Sequence, residues 1–206
     1  MTFVIPFSGQ APGVAGYEAE AGMEMETGVR IVTIAGSLHR EAYVHRLLRA
    51  VTRELPEGAV AEEWDGLGGV TPLSEGPPPR EIDRLCHALS DADGALITAP
   101  AHSVMPVQLR QALGWVSSGR GGAVLVGKPV VVVTACPRPH EALWARTELG
   151  QALASAGASV HGIDLILSAG AGRLDAEGRL DDPDLRERLR PALRLLCAPS
   201  LARSST

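Results

Sequence analysis

A chain of 206 residues, 45% of them hydrophobic, is long enough for one well-packed domain and too short for two full enzyme domains. Its formal charge of -5 leaves no basic footprint for nucleic acid or an anionic membrane. Cys86, Cys136 and Cys197 lack Cys-x-x-Cys spacing and fit a reducing cytoplasm, and no apolar run approaches the roughly 20 residues of a bilayer span.

Residues 1–28 contain no Lys or Arg but include Glu18, Glu20, Glu24 and Glu26, without the basic start of a signal peptide. They are expected to form an acidic, flexible extension or docking arm, although the apolar opening MTFVIPF also suits a short strand or an anchor on a neighbouring subunit. The folded domain is expected over 29–198, with 199–206 as a tail.

The first strand is predicted at 30–35, where β-branched residues suit a buried parallel strand, and Gly36 and Ser37 punctuate its end. A helix follows over 39–54, with Tyr43, Leu47, Ala50, Leu48 and Val51 on one face, until Pro56 and Gly58 stop it. A weaker strand at 59–64 leads into a Gly/Pro-rich connection, 65–79, of a length that often carries function. Then come a helix at 80–90, a strand at 95–99, a loop at 100–105 and a helix at 107–116. The run 130–135 is apolar throughout and reads as the central strand; a helix at 141–156, a strand at 159–165 and a final helix at 182–197 complete the pattern.

Strands separated by helices imply parallel βαβ units with right-handed crossovers. The expected fold is therefore α/β: a flavodoxin-like, doubly wound three-layer sandwich around a five-stranded parallel sheet in the order 2-1-3-4-5. Ligands in such sheets bind beyond the carboxyl ends of strands 1, 3 and 4, which here are residues 36–40, 100–105 and 136–140.

At these three loops the chain resembles the NADPH-dependent FMN reductase family of flavodoxin-like flavin and quinone reductases, over about residues 30–196. I-A-G-S-L-H-R-E-A-Y-V-H is similar to the family's Gly-Ser-Leu-Arg-x-x-Ser-x-Asn phosphate loop. D-A-D-G-A-L-I-T-A-P-A-H-S-V-M-P-V-Q-L-R-Q-A-L-G-W looks like its Ala-Asp-Gly strand, Thr-Pro-Glu-Tyr-Asn loop and Leu-Lys-Asn-x-x-Asp-Trp helix. G-K-P-V-V-V-V-T and the closing L-D-A-E-G-R-L-D-D-P-D-L-R-E-R-L follow in the family's sequence of landmarks.

The resemblance implies a cytoplasmic oxidoreductase that binds FMN, takes electrons from NAD(P)H and passes them to a flavin, quinone or similar small-molecule acceptor. It also implies a homodimer or homotetramer, with no nucleic-acid or membrane partner. Gly36, Ser37, Leu38, His39 and Arg40 would cradle the phosphate; Pro100, Ala101, His102 and Ser103 would line the ring; Cys136 and His140 would help to close its far edge.

Several side chains depart from the pattern: His39 stands at the family's Arg, Ala42 at its Ser and Val44 at its Asn. Each lost charge-assisted hydrogen bond to a dianionic phosphate removes roughly 1.5 to 3 kcal/mol. A phosphate held by protonated His39 would also bind less tightly as pH rises. Two other readings stay open: a flavin-free accessory or partner protein, and a non-flavin enzyme using His102, Cys136 or His140 as metal ligands or as a nucleophile with its base.

Other polar and aromatic residues have plainer readings. Arg40 and Arg46 are the nearest permanent cations to the first loop, but a solvated helix face is the simpler reading, and His39 and His45 also suit a surface. Trp115 reads as core or subunit interface; Trp144 either covers a planar ligand or packs its helix. Asp175, Asp181, Asp182 and Asp184 are expected to cap backbone N–H groups rather than bind a divalent ion.

Overall fold

The computed structural model describes residues 28–100, 105–118, 123–136, 139–166 and 174–198, with the backbone alone at 136, 139–145 and 164–166. The elements are β1 (Arg30–Ala35), α1 (Tyr43–Thr52), β2 (Val60–Trp64), a 3-10 turn (Gly66–Gly69), α2 (Arg80–Asp91) and β3 (Gly94–Pro100). They continue with α3 (Val107–Ser117), β4 (Pro129–Cys136), α4 (Pro139–Ser155), β5 (Ser159–Ile166) and α5 (Pro183–Leu196). All strand pairs are parallel, in the order β2-β1-β3-β4-β5, as the alternation of types predicts. The first helix begins at Tyr43 rather than His39, because the intervening residues turn the chain off β1: Ala42 N–H donates to His39 O (2.8 Å).

Side chains alternate across the sheet and fill two cores. Val32, Ile34, Ala95, Ile97, Val130 and Val132 pack towards α2, α3 and α4. Ile31, Leu96, Val131 and Val133 pack towards α1 and α5. Burial on both faces explains why β4 is apolar along its length, whereas β2, at the sheet edge, exposes Val60 and carries Glu62 and Glu63. No helix among the described residues is long and apolar enough to cross a membrane.

Two buried indoles fasten the long connection after β2. Trp115 Nε1 donates to Thr71 O (2.8 Å), and Trp64 Nε1 donates to Glu81 O (3.2 Å). Trp115 is 1% exposed, which agrees with the core reading. Two of the aspartates near the last helix act as caps: Asp182 accepts from Leu185 N–H (3.1 Å), while Asp175 accepts from the N–H groups of Glu177 (3.0 Å) and Arg179 (2.7 Å).

Lys128, the only lysine in the chain, closes α2 from a distance. Its ammonium donates to the carbonyls of Leu89 (2.5 Å), Ser90 (3.0 Å) and Ala92 (2.6 Å), at the helix end where positive charge is favoured. Lys128→Met is expected to lower unfolding free energy by about 1 to 3 kcal/mol in urea titration, because carbonyls lose a charged donor in a half-buried place.

The Arg179 backbone N–H, followed by its guanidinium, holds the Asp175 carboxyl below the usual carboxylate range. This contribution is present above the unfolded value of about 3.9 and is lost as pH falls through the lower folded value. In an NMR acid titration, the Arg179 amide should shift with Asp175 at a pH below that of an unfolded aspartate; a transition at the unfolded value would contradict the pairing.

Candidate functional site

The chain leaves β1 at Ala35, whose register partner on β3 is Thr98, and turns sharply at Gly36. Gly36 N–H donates to Thr98 O (2.7 Å), and a Cβ at Gly36 would lie 2.9 Å from Leu109 Cδ2 and 3.1 Å from Thr98 O. Close approach of backbone to β3 and α3 therefore requires glycine here. The Thr98 hydroxyl donates to Val44 O (2.9 Å), so the same residue also holds the first turn of α1.

Ser37 N–H donates to Ala35 O (2.9 Å), and Ser37 Oγ accepts from His39 N–H (3.2 Å), leaving the hydroxyl proton free to donate elsewhere. Among the described residues, the N–H groups of Leu38, Arg40 and Glu41 have no protein acceptor. The N-cap of α1, Ala42, makes no side-chain cap bond, and the first turn holds no acidic residue. A loop with unused amides, a hydroxyl and an uncapped helix start is a donor set suited to an anion.

One side chain behind this loop differs from its sequence reading. His45 is buried, 8% exposed, rather than a surface residue: its Nε2 donates to Ser37 O (2.9 Å), and its Nδ1 lies 3.6 Å from Glu63 Oε1 on β2. Arg40 is exposed and pairs with Asp65 (2.9 Å), just after β2. Arg46 is exposed, as the solvated-face reading expects, and so is His39. On the β2 side of the loop lies a cavity of ≈ 360 Å³, lined by Ser37, Leu38, Arg40, His45, Arg49 and Glu63 among others. The buried histidine and this cavity were hidden from sequence because contacts between α1 and β2 leave no local signature.

Of the second and third loops, Pro100 ends β3, while Ala101, His102 and Ser103 lie outside the described residues. Cys136 ends β4 and His140 lies in the first turn of α4, but their side chains, like that of Trp144, lie outside what is described. The far side of the second loop is anchored by Glu148 of α4, which accepts from Met105 N–H (3.2 Å) and pairs with Arg110 of α3. Among the described residues no group of three His, Cys, Asp or Glu is placed to hold a metal. Burial, with Asp83 adding to it, pushes the Cys86 thiol up, and burial does the same for Cys197, so neither favours the thiolate.

A family model for NADPH-dependent FMN reductase matches residues 29–171, which spans all three switch-point loops. The chain belongs to the NADPH-dependent FMN reductase family. It is similar to a 2-hydroxy-1,4-benzoquinone reductase from Burkholderia sp, 30% identical over 110 residues that cover 51% of this chain and 59% of that protein. This chain thus matches less than two thirds of that relative's length. Among solved structures it is similar to FerB, a flavoenzyme NAD(P)H:(acceptor) oxidoreductase from Paracoccus denitrificans, with TM-score 0.70, 18% identity, and coverage of 82% of this chain and 95% of that one. It is also similar to an NADH:FMN oxidoreductase, EMOB, in its apo form, with TM-score 0.62, 16% identity, and coverage of 84% and 91% respectively. At these identities the structural likeness establishes the flavodoxin-like fold.

The donor set at the head of α1 fits the phosphate end of FMN: free backbone amides and a serine hydroxyl need no particular side chain beside them. Gly36→Ala is the most direct perturbation of this geometry. It is expected to destabilise the fold by about 1 to 3 kcal/mol through overpacking against Leu109 and β3. FMN affinity measured by flavin fluorescence quenching should fall at least ~10-fold, equivalent to about 1.4 kcal/mol; unchanged affinity would show that the tight turn is not needed for binding.

Proposed function

We propose that this protein is an NAD(P)H-dependent oxidoreductase that holds FMN beyond the carboxyl ends of β1, β3 and β4 and reduces a small quinone- or flavin-type acceptor. The observation that supports it best is the phosphate loop: a family-matched Gly36-Ser37 turn with unused amides and an uncapped α1. The activities of the similar proteins, a benzoquinone reductase and two flavin-linked oxidoreductases, point the same way.

In this reading Gly36, Ser37, Leu38, His39 and Arg40 hold the phosphate, with backbone amides supplying most of the grip because Ala42 and Val44 have no polar atoms to offer. Pro100, Ala101, His102 and Ser103 line one side of the ring, and Cys136 and His140 its far edge. FMN, when bound there, would supply the two-electron redox chemistry between NAD(P)H and the acceptor. The chain's own residues bind and orient, and none is assigned as a general acid. A cytoplasmic, homo-oligomeric protein is part of the same proposal.

The exchanged loop side chains favour one other reading, a flavodoxin-like accessory protein that no longer binds flavin. The visible spectrum separates the two. Purified protein, as isolated or after FMN titration, should show the bands of an oxidised flavin near ~370 and ~450 nm, and NAD(P)H with a benzoquinone should bleach and restore them. A colourless protein that FMN cannot saturate at micromolar concentration would contradict the oxidoreductase reading.

A further inference from the structure

We propose that His45 is a positioning residue that acts on the phosphate loop through a single peptide bond, making anion binding at Leu38 N–H dependent on the protonation of a buried imidazole. The proposal rests on the FMN reading for its ligand, the phosphate monoester of FMN, but its physical basis is the geometry of four groups.

A carbonyl oxygen only accepts, so the contact of His45 Nε2 with Ser37 O (2.9 Å) places a proton on Nε2. The other nitrogen, Nδ1, faces Glu63 Oε1 at 3.6 Å, and an ionised carboxylate is likewise only an acceptor. The doubly protonated ring satisfies both sides; the neutral ring with its proton on Nε2 turns a lone pair towards a carboxylate.

The other charged groups lining the cavity are Arg49, one turn further along α1, and Arg40 with Asp65 at the end of β2. Arg49 and Glu63 thus bring opposite charges to the cavity that His45 lines, and Arg40 is engaged by its own partner at 2.9 Å. His39, two residues after Ser37, is exposed on the loop itself.

The Ser37 carbonyl and the Leu38 N–H belong to one planar peptide unit. The chain contains no cis peptide bond among the described residues, so these two groups point in opposite directions. His45 holds the carbonyl, and the Leu38 N–H is thereby aimed away from the imidazole and has no acceptor among the described residues. A charged donor on the carbonyl also polarises the peptide and strengthens its N–H as a donor. His45 thus does not touch the phosphate; it directs and charges one of the amides that would.

The test compares wild type with His45→Gln, Glu63→Gln and His39→Ala from about pH 5.5 to about pH 8.5. FMN dissociation constants are read by fluorescence quenching, and the Leu38 amide and His45 ring by NMR in protein without FMN. The second ionisation of the FMN phosphate, near ~6, is common to all four proteins and cancels in the comparison. In wild type, the FMN dissociation constant should rise with pH by ~10-fold more than in His45→Gln, and Glu63→Gln should move that rise to lower pH. The part of the slope that His45→Gln removes should persist in His39→Ala, which removes the loop's own imidazole.

The Leu38 amide shift should follow the His45 titration in wild type and lose that step in His45→Gln. If His45→Gln does not fold, the wild-type NMR titration and Glu63→Gln decide the same question. A Leu38 amide that ignores His45, or parallel pH profiles for wild type and His45→Gln, would overturn the proposal. Failure of FMN to bind at any pH would instead overturn the cofactor reading, while a Leu38 amide that tracks His45 would still support the relay.

Discussion

The turn between β1 and α1 is held at both ends by Thr98, and the arrangement of the site depends on that residue. Its carbonyl accepts from Gly36 N–H, and its hydroxyl bonds to Val44 O at the start of α1. Thr98 is fully buried, so each of these bonds is expensive to leave unmade, on the order of 1 to 3 kcal/mol for a stranded polar group. A loop clamped in this way to a central strand keeps its free amides in fixed directions before any ligand arrives. That is how a scaffold lowers the entropic cost of binding.

Clamping the backbone also explains how the loop can keep its form while its side chains change. Val44 is buried, and Ala42 packs against the core formed by α1 and α5, so both have become packing residues. Backbone amides are insensitive to such exchanges, since they belong to every non-proline residue. The cost falls on charge. Arg40 is engaged by Asp65 and His39 is exposed, while His45 lies behind the loop with its Nδ1 3.6 Å from Glu63 Oε1, and Arg49 lines the same cavity. The electrostatics of the site are therefore shared between the loop and the adjoining edge of β2.

The second anchor of the site works on a different scale. Glu148 of α4 ties Met105 N–H and Arg110 together, so the far end of the second loop is fastened to the helix that follows the third. Met105, at the end of the second loop, is thereby linked to α4. The indoles of Trp64 and Trp115 do the same for the long connection after β2, taking backbone carbonyls as acceptors and burying their rings.

Much of this was legible in the residues themselves. The apolar run of β4, the β-branched β1 and the periodic faces of α1 and α2 report burial directly, because a strand buried on both faces and a helix buried on one leave distinct patterns. The strand order followed from alternation and handedness, and the glycine of the first turn from the position of a strand end. The aspartates read as caps are caps at Asp175 and Asp182. Sequence placed His45 on a surface and Lys128 merely before a strand, since nothing within several residues of either reveals its partner. Glu63 meets His45 only once β2 lies beside β1, and Lys128 meets the end of α2 only once β4 lies beside β3. The sequence by itself therefore determined the layers, the sheet order and the location of the glycine turn that follows β1. Tertiary structure alone decided which charged groups stand behind that turn, because long-range pairing brings together residues whose spacing along the chain carries no information about their contact.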